Sequence, residues 1–307
     1  MSKALIYKGI FPVAPTTFTD SGDLDLDSQK RVLDCMIDQH VDGICILANY
    51  SEQFLLSDQE RDTLLTVCLD HIAGRVPVIA TCSHFSTRIV ISRARRACDK
   101  GAAMIMLMPP YHGASLKAEE AKIYEYFAQI SENISIPIMI QDAPLSGVTL
   151  SVEFLAKLAM SLPKISYFKI EVSGAAEKLR ALIKAGGNAI IGPFDGEESI
   201  TLIPDLEAGA TGTMSSAMYP ELLKPIVSNH LKGNKEEASS IYNKILPLIN
   251  YENRQCGLEG TKIIMKEGGV IKSAAVRHPF SSISPYSREG LLKLAHSFDV
   301  LALRWGK

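Results

Sequence analysis

Eight short apolar, β-branched runs recur along the first 215 residues with helical periodicity between them, and this alternation limits the fold more than any other feature of the chain. The runs lie at 9–15, 43–47, 77–81, 104–108, 136–140, 165–169, 189–192 and 211–215. They are near-continuous rather than alternating, as expected of parallel strands covered on both faces. Helical patterns fill segments such as 28–39, 58–73, 87–100, 117–133 and 175–185. Several helix-to-strand junctions look alike, with glycine near the helix end: Asp42-Gly43, Lys100-Gly101, Gly186-Gly187 and Ala208-Gly209. Glycine there suits a left-handed helix C-cap. Eight such βα units by residue 230 favour a closed (β/α)8 TIM barrel over an open doubly wound sheet. No G-x-G-x-x-G or phosphate-loop motif follows any run, which weighs against a nucleotide site. The last part of the chain reads as helices at 235–250, 258–267 and 288–305. The expected organisation is a barrel at 1–234 and a C-terminal helical extension at 235–307 packed on it.

Composition narrows the function classes. The 307 residues are 47% hydrophobic and 21% charged, with net charge −2 and no basic run, so neither nucleic acid nor an anionic membrane is an expected partner. No apolar stretch reaches the roughly 18 residues that a membrane span needs, and the N-terminal M-S-K-A-L-I-Y-K-G lacks the apolar core of a signal peptide. Six cysteines without C-x-x-C spacing indicate reduced thiols and a cytoplasmic protein. The seven histidines are dispersed and no H-E-x-x-H occurs, so no metal site is expected. The acidic loop Asp20, Asp23, Asp25, Asp27 has its glycine at the wrong position for a calcium loop, and Arg31 stands where a bidentate glutamate is needed. It reads as a solvated turn with Asp27 near a helix N-cap.

Chemistry concentrates in 164–174, K-I-S-Y-F-K-I-E-V-S-G, where Lys169 and Glu171 interrupt a β-forming run. Side chains two apart on a strand point the same way, about 6.6 Å apart along it. Placing a lysine and a carboxylate there costs several kcal/mol each unless they are paired or neutralised, roughly speaking. Two readings are open on this stretch alone: a strand-end ion pair, or a Schiff-base lysine with its proton-transfer partner. In a (β/α)8 barrel the active site lies at the C-terminal strand ends. The residues found there include Asn49, Tyr50 and Ser51, Cys82 and His84, Tyr111, Gln141, Lys169 and Glu171, Asp195, and Ser215.

Taken in order, these segments resemble the dihydrodipicolinate synthase / N-acetylneuraminate lyase family from about residue 8 onward. Pro15-Thr16-Thr17-Phe18 is similar to its P-T-P-F, and Ala48-Asn49-Tyr50-Ser51-Glu52 takes the place of its G-T-T-G-E. Pro109-Pro110-Tyr111 matches its P-P-Y, Lys169 stands at its Schiff-base lysine, and Gly209-Ala210-Thr211-Gly212 resembles its G-A-x-G. Two departures matter. Where the family has Y-N-x-P on strand 5, with the tyrosine as proton shuttle for aldol chemistry, this chain has Gln141-Asp142-Ala143-Pro144; and a usually small residue after the lysine is Glu171. Among subgroups the chain looks most like the L-2-keto-3-deoxyarabonate dehydratases, which carry glutamine in the tyrosine position.

The resemblance implies a 2-keto acid substrate, an imine on Lys169, no cofactor or metal, and a homo-oligomer, commonly a tetramer. It implies Lys169 as the nucleophile and a carboxylate cradle at the place of Asn49, Tyr50 and Ser51; Glu171 and Gln141, where the chain departs from the family, are read as catalytic beside it, and Asp195, Ser215 and Tyr111 at the strand ends as substrate contacts. A free lysine is neutral at pH 7 in only about one molecule in 2,500, and burial is expected to lower its pKa. Retro-aldol cleavage needs a base on the C4 hydroxyl, the tyrosine's work, whereas β-elimination needs a base at C3 and an acid for the leaving hydroxyl. Glu171 titrates and Gln141 does not, so the pair favours dehydration; the resemblance implies L-2-keto-3-deoxyarabonate as the substrate and 2-oxoglutarate semialdehyde as the product. A pyruvate-forming aldolase and a non-catalytic keto-acid sensor remain as alternatives.

Overall fold

The computed structural model describes residues 6–112 and 116–307; residues 1–5, at the head of the stretch read for a signal peptide, lie outside the described residues. Eight strands form one sheet: β1 Gly9–Ile10, β2 Ile44–Ile46, β3 Val78–Thr81, β4 Met104–Leu107, β5 Ile138–Asp142, β6 Ile165–Ile170, β7 Gly192–Asp195 and β8 Gly212–Thr213. A helix follows each: α1 Leu26–Asp38, α2 Asp58–Ile72, α3 Thr87–Asp99, α4 Glu120–Glu132, α5 Val152–Ser161, α6 Ala175–Gly186, α7 Leu202–Glu207 and α8 Pro220–Leu231. This is the (β/α)8 barrel fold. Three further helices follow, α9 Lys235–Tyr251, α10 Leu258–Glu267 and α11 Pro285–Ser297. A short antiparallel ladder pairs Tyr111–His112 with Leu116–Lys117 after β4.

Two compact units divide these elements. One holds the segment ending at Gly9 together with Pro77–Met214; the other holds Ile10–Val76 and Ser215–Lys307. In the first unit β3 to β8 pair in chain order and in parallel, and the register sets Gln141 beside Lys169 and Lys169 beside Phe194. Every residue of β4, β5 and β6 is buried, which is why these strands read as continuous apolar runs. In the second unit Val13 bridges Cys45 on one side and Ser216 on the other, both in parallel.

Three elements depart from the sequence expectation. Strand β7 begins at Gly192 rather than covering 189–192. Gly187, at φ 51°, ends α6 and opens a 3₁₀ turn through Ala189. The chain then enters the sheet at Gly192, where a Cβ would lie 2.1 Å from the Tyr167 ring. The last helix starts at Pro285 behind the Ser284 N-cap and stops at Ser297, two residues before Asp299 takes a positive φ of 47°. Asp25, not Asp27, caps α1, accepting from the Ser28 amide at 3.0 Å and its hydroxyl at 2.7 Å.

The second unit is organised around a buried charge. Lys262 of α10 and Glu52 form an ion pair with both side chains fully buried, although 210 residues separate them. Lys262 also donates to the Ala275 carbonyl at 2.9 Å, and Glu52 accepts from the Arg277 amide at 2.8 Å. Both cations lie over the Phe18 ring, Lys262 at 4.6 Å and Arg277 at 4.4 Å from its centroid. Desolvation lowers the Lys262 pKa despite Glu52. Such a pair contributes little net stability, yet removing one partner strands the other. Lys262→Met is therefore expected to cost about 3–5 kcal/mol in denaturant unfolding, and adding Glu52→Gln should recover much of that loss. A single variant as stable as the parent would contradict this assignment.

Candidate active site

Lys169 ends as the most enclosed cation of the first unit because β6 carries it inward among buried strands. Its side chain is 2% exposed, and its ammonium donates to Glu171 Oε2 at 2.7 Å and to the Gly196 carbonyl at 2.8 Å. Glu198 Oε1 lies 3.5 Å away. Glu171, two residues along the same strand direction, keeps 24% of its side chain exposed, so it is both the lysine's partner and the more accessible acid. Gln141, paired in register with Lys169, donates from Nε2 to the same Glu171 Oε2 at 2.8 Å. Gln141 Oε1 is buried and accepts no hydrogen bond among the described residues. One carboxylate oxygen thus receives both the amide and the ammonium, which fixes the rotamers of three side chains together.

The charge state of Lys169 differs from the expectation that burial would favour a neutral amine. Desolvation is the largest single influence and pulls its pKa down, but Glu171, Glu198 and Asp195 act against it together, and the net direction is up. The resting lysine is an ammonium. Proton transfer to Glu171 along the 2.7 Å contact is the direct way to free its lone pair.

Sequence reasoning did not find Gly196 and Glu198. With strand 7 drawn three residues early, inspection of its loop stopped at Asp195, before the acidic Gly196-Glu197-Glu198 run. Gly196 is required by close packing: a Cβ there would sit 2.4 Å from the Ile170 carbonyl oxygen and 3.0 Å from Lys169 Cγ. Glu198 and Ser199 both adopt left-handed backbone, at φ 53° and 73°, where non-glycine residues are strained.

The other expected site residues have these surroundings. Asp195 is fully buried; its Oδ2 accepts from the Ser199 amide at 3.0 Å and from Thr213. It is hydrogen-bonded to the Asp205 side chain and presents no exposed oxygen to a substrate. Tyr111 is half-buried, and burial pushes its phenol up to about 12. In the second unit, Ser51 Oγ donates to the Ala14 carbonyl at 2.7 Å and accepts from the Ala48 amide at 3.1 Å, holding the turn rather than standing free. Asn49 accepts from Gln53 at 2.6 Å, and Tyr50 donates to Asn253 at 3.0 Å. Ser215 is buried and donates to the Ser216 carbonyl at 3.1 Å. Behind it, Ser216 donates to buried Glu252 at 2.7 Å, whose pKa burial raises. No cluster of three metal-ligating side chains occurs among the described residues.

A buried lysine in contact with a carboxylate is a pair from which an activated amine nucleophile can be built. Comparisons agree. Residues 6–297 match the model of the dihydrodipicolinate synthetase family. The chain is 54% identical over 299 residues to the L-2-keto-3-deoxyarabonate dehydratase of Azospirillum brasilense, covering 97% of each chain. It is 27% identical to the 4-hydroxy-tetrahydrodipicolinate synthase of Methanothrix thermoacetophila, covering 94% of this chain and 95% of that one. Among solved structures, the dihydrodipicolinate synthase of Rhodopseudomonas palustris superposes with a TM-score of 0.85 at 28% identity, over 94% of this chain and 97% of its own. By sequence and fold, this chain belongs to the dihydrodipicolinate synthetase family.

Proposed function

We propose that this protein is a Schiff-base hydro-lyase that converts L-2-keto-3-deoxyarabonate to 2-oxoglutarate semialdehyde and water. The observation that carries the reading is the Gln141–Glu171–Lys169 chain of hydrogen bonds, in which one Glu171 oxygen accepts from both the Gln141 amide and the Lys169 ammonium. The substrate rests on the 54% identity to the Azospirillum brasilense dehydratase.

The steps follow from the contacts. Glu171 takes the Lys169 proton, and the amine attacks the C2 carbonyl. The carbonyl oxygen leaves as water and a cationic imine remains. That cation withdraws electrons from C3, and Glu171, having released its first proton, removes a C3 proton to give the enamine. The enamine expels the C4 hydroxyl, which takes the proton back from Glu171 and departs as water. Gln141 Oε1 accepts a hydrogen bond from that hydroxyl and holds it toward Glu171, a task an amide can perform without exchanging protons. The conjugated imine then loses a C5 proton and gains one at C3, forming an enol that becomes the aldehyde. Water returns to C2 and releases Lys169, so the net change is one water lost. Glu198, 3.5 Å from the nitrogen, is the second carboxylate placed to stabilise the imine charge. Asn49, Tyr50 and Ser51 serve as the carboxylate cradle in this reading, largely through the backbone of their turn, and Tyr111 as a substrate contact.

The reading also includes a cytoplasmic homotetramer. Six free cysteines fit a reducing compartment, and no described helix is long and apolar enough to cross a membrane. Light scattering on purified protein is expected to give four times the chain mass; the mass of one chain would overturn the tetramer.

Product identification tests the reaction. Incubation with L-2-keto-3-deoxyarabonate is expected to give the semialdehyde, and pyruvate as the main product would establish an aldolase instead. Glu171→Gln should still form a borohydride-trapped pyruvate adduct on Lys169 while turnover falls by about 10²–10⁴-fold. Because Glu171 raises the lysine pKa, its removal should shift the rise of adduct formation to lower pH. Undiminished turnover in this variant would refute the acid–base role.

A further inference from the structure

Behind the lysine lies a second group of buried acids that the reaction does not use directly. Asp195 at the end of β7 and Asp205 in α7 are both fully buried and hydrogen-bonded to each other, which requires one proton between two carboxyls. Their Oδ1 atoms have no other partner among the described residues. The Oδ2 atoms are spoken for: Asp195 Oδ2 accepts from the Ser199 amide at 3.0 Å and from the Thr213 hydroxyl, and Asp205 Oδ2 accepts from Thr201 Oγ1 at 2.8 Å. Ser199 Oγ closes the group with Thr213 Oγ1 at 2.9 Å.

Apart from Thr213 on β8, everything this group grips belongs to one turn. Residues 196–201 supply the Gly196 carbonyl that accepts from Lys169 and the Glu198 carboxylate beside it. The same turn contains the two consecutive left-handed residues, Glu198 and Ser199. Strained backbone of this kind persists only where its surroundings hold it in place, and the anchoring bonds to Ser199 and Thr201 come from this pair.

We propose that Asp195 and Asp205 form a proton-sharing clamp that holds the 196–201 turn in its strained shape and so positions Gly196 and Glu198 against Lys169. Asp205 is thus a positioning residue that never touches substrate. Burial and the Asp195 charge push its carboxyl up to about 8, in keeping with a retained proton. Glu197 and Lys169 are the other charged groups felt by the pair. The inference rests only on Lys169 forming the imine, not on the later loss of water.

The experiment measures the rate of borohydride-trapped pyruvate adduct at Lys169, with KM and kcat for the keto acid alongside. Asp205→Ala is expected to slow trapping by about tenfold or more and to lower kcat with KM changed little, since a small misplacement near a reacting atom is costly. Asp205→Asn, which can still donate one hydrogen bond to Asp195, should stay within about threefold of the parent. Parental trapping in folded Asp205→Ala overturns the clamp, as does Asp205→Asn proving as slow as Asp205→Ala. If Asp205→Ala does not fold, Thr201→Val replaces it, and trapping at the parental rate in that variant overturns the proposal. Absence of any adduct in the parent would instead sink the Schiff-base reading. Normal adduct without semialdehyde would sink only the dehydration.

Discussion

A lysine ammonium almost without solvent contact obliges its surroundings to be anionic, and the rest of the site follows from that obligation. Each carboxylate brought in as counter-charge is itself partly desolvated and needs donors of its own. Glu171 finds them in Lys169 and Gln141, and the turn bearing Glu198 is held through the carboxyl pair behind it. A single buried charge therefore propagates through two strands, a strained turn and a short helix. Counter-ions chosen only for stability would be interchangeable. Here one of them, Glu171, also keeps an exposed edge, which is what the proposed removal of carbon-bound protons requires of it.

The glutamine on β5 makes sense in the same terms. A donor is wanted beside Lys169 to share Glu171 Oε2, and the register of β5 on β6 puts residue 141 in that position. An amide gives a donor and an acceptor on one rigid group, and here the donor is aimed at the acid while Oε1 has no partner among the described residues. In the proposed reaction a tyrosine would carry a second titratable proton to the place where Glu171 is to move one, and residues 141 and 171 would divide orientation and proton transfer between them.

The alternation of runs and helices was legible because parallel strands covered on both faces leave uninterrupted apolar segments, as β4 and β6 do. Strand β7 escaped because its residues, Gly192-Pro193-Phe194-Asp195, follow the apolar Ala189-Ile190-Ile191 that the pattern selects. Lys169 and Glu171 were visible because two charged residues interrupt an apolar run, and Gln141 because the resemblance marks the strand end it occupies. Glu198 was not, because it reaches the lysine through backbone that Glu198 and Ser199 adopt only under tertiary restraint. Nor does any local pattern join Glu52 to Lys262, or decide whether a buried lysine is charged. That depends on how many carboxylates come from elsewhere in the chain.

The chain contains both outcomes. Lys262 meets one buried carboxylate at contact distance and desolvation wins, lowering its pKa; Lys169 has Glu171 and Glu198 close by with Asp195 behind them, and the charges win, raising it. It is the second lysine, the harder one to deprotonate, that stands in the site. The reason lies in what the amine becomes. An imine carbon is an electron sink only while its nitrogen is positive, and a pocket that favours an ammonium also favours the iminium that replaces it. Stabilisation withheld from the neutral amine is returned at the cation and in the step that removes the C3 proton, where it lowers the barrier that matters. A pocket tuned for a neutral lysine would ease the first attack and weaken the sink on which every later step relies. In the proposed reaction Glu171 resolves the conflict by holding the lysine's proton only while the amine must be neutral.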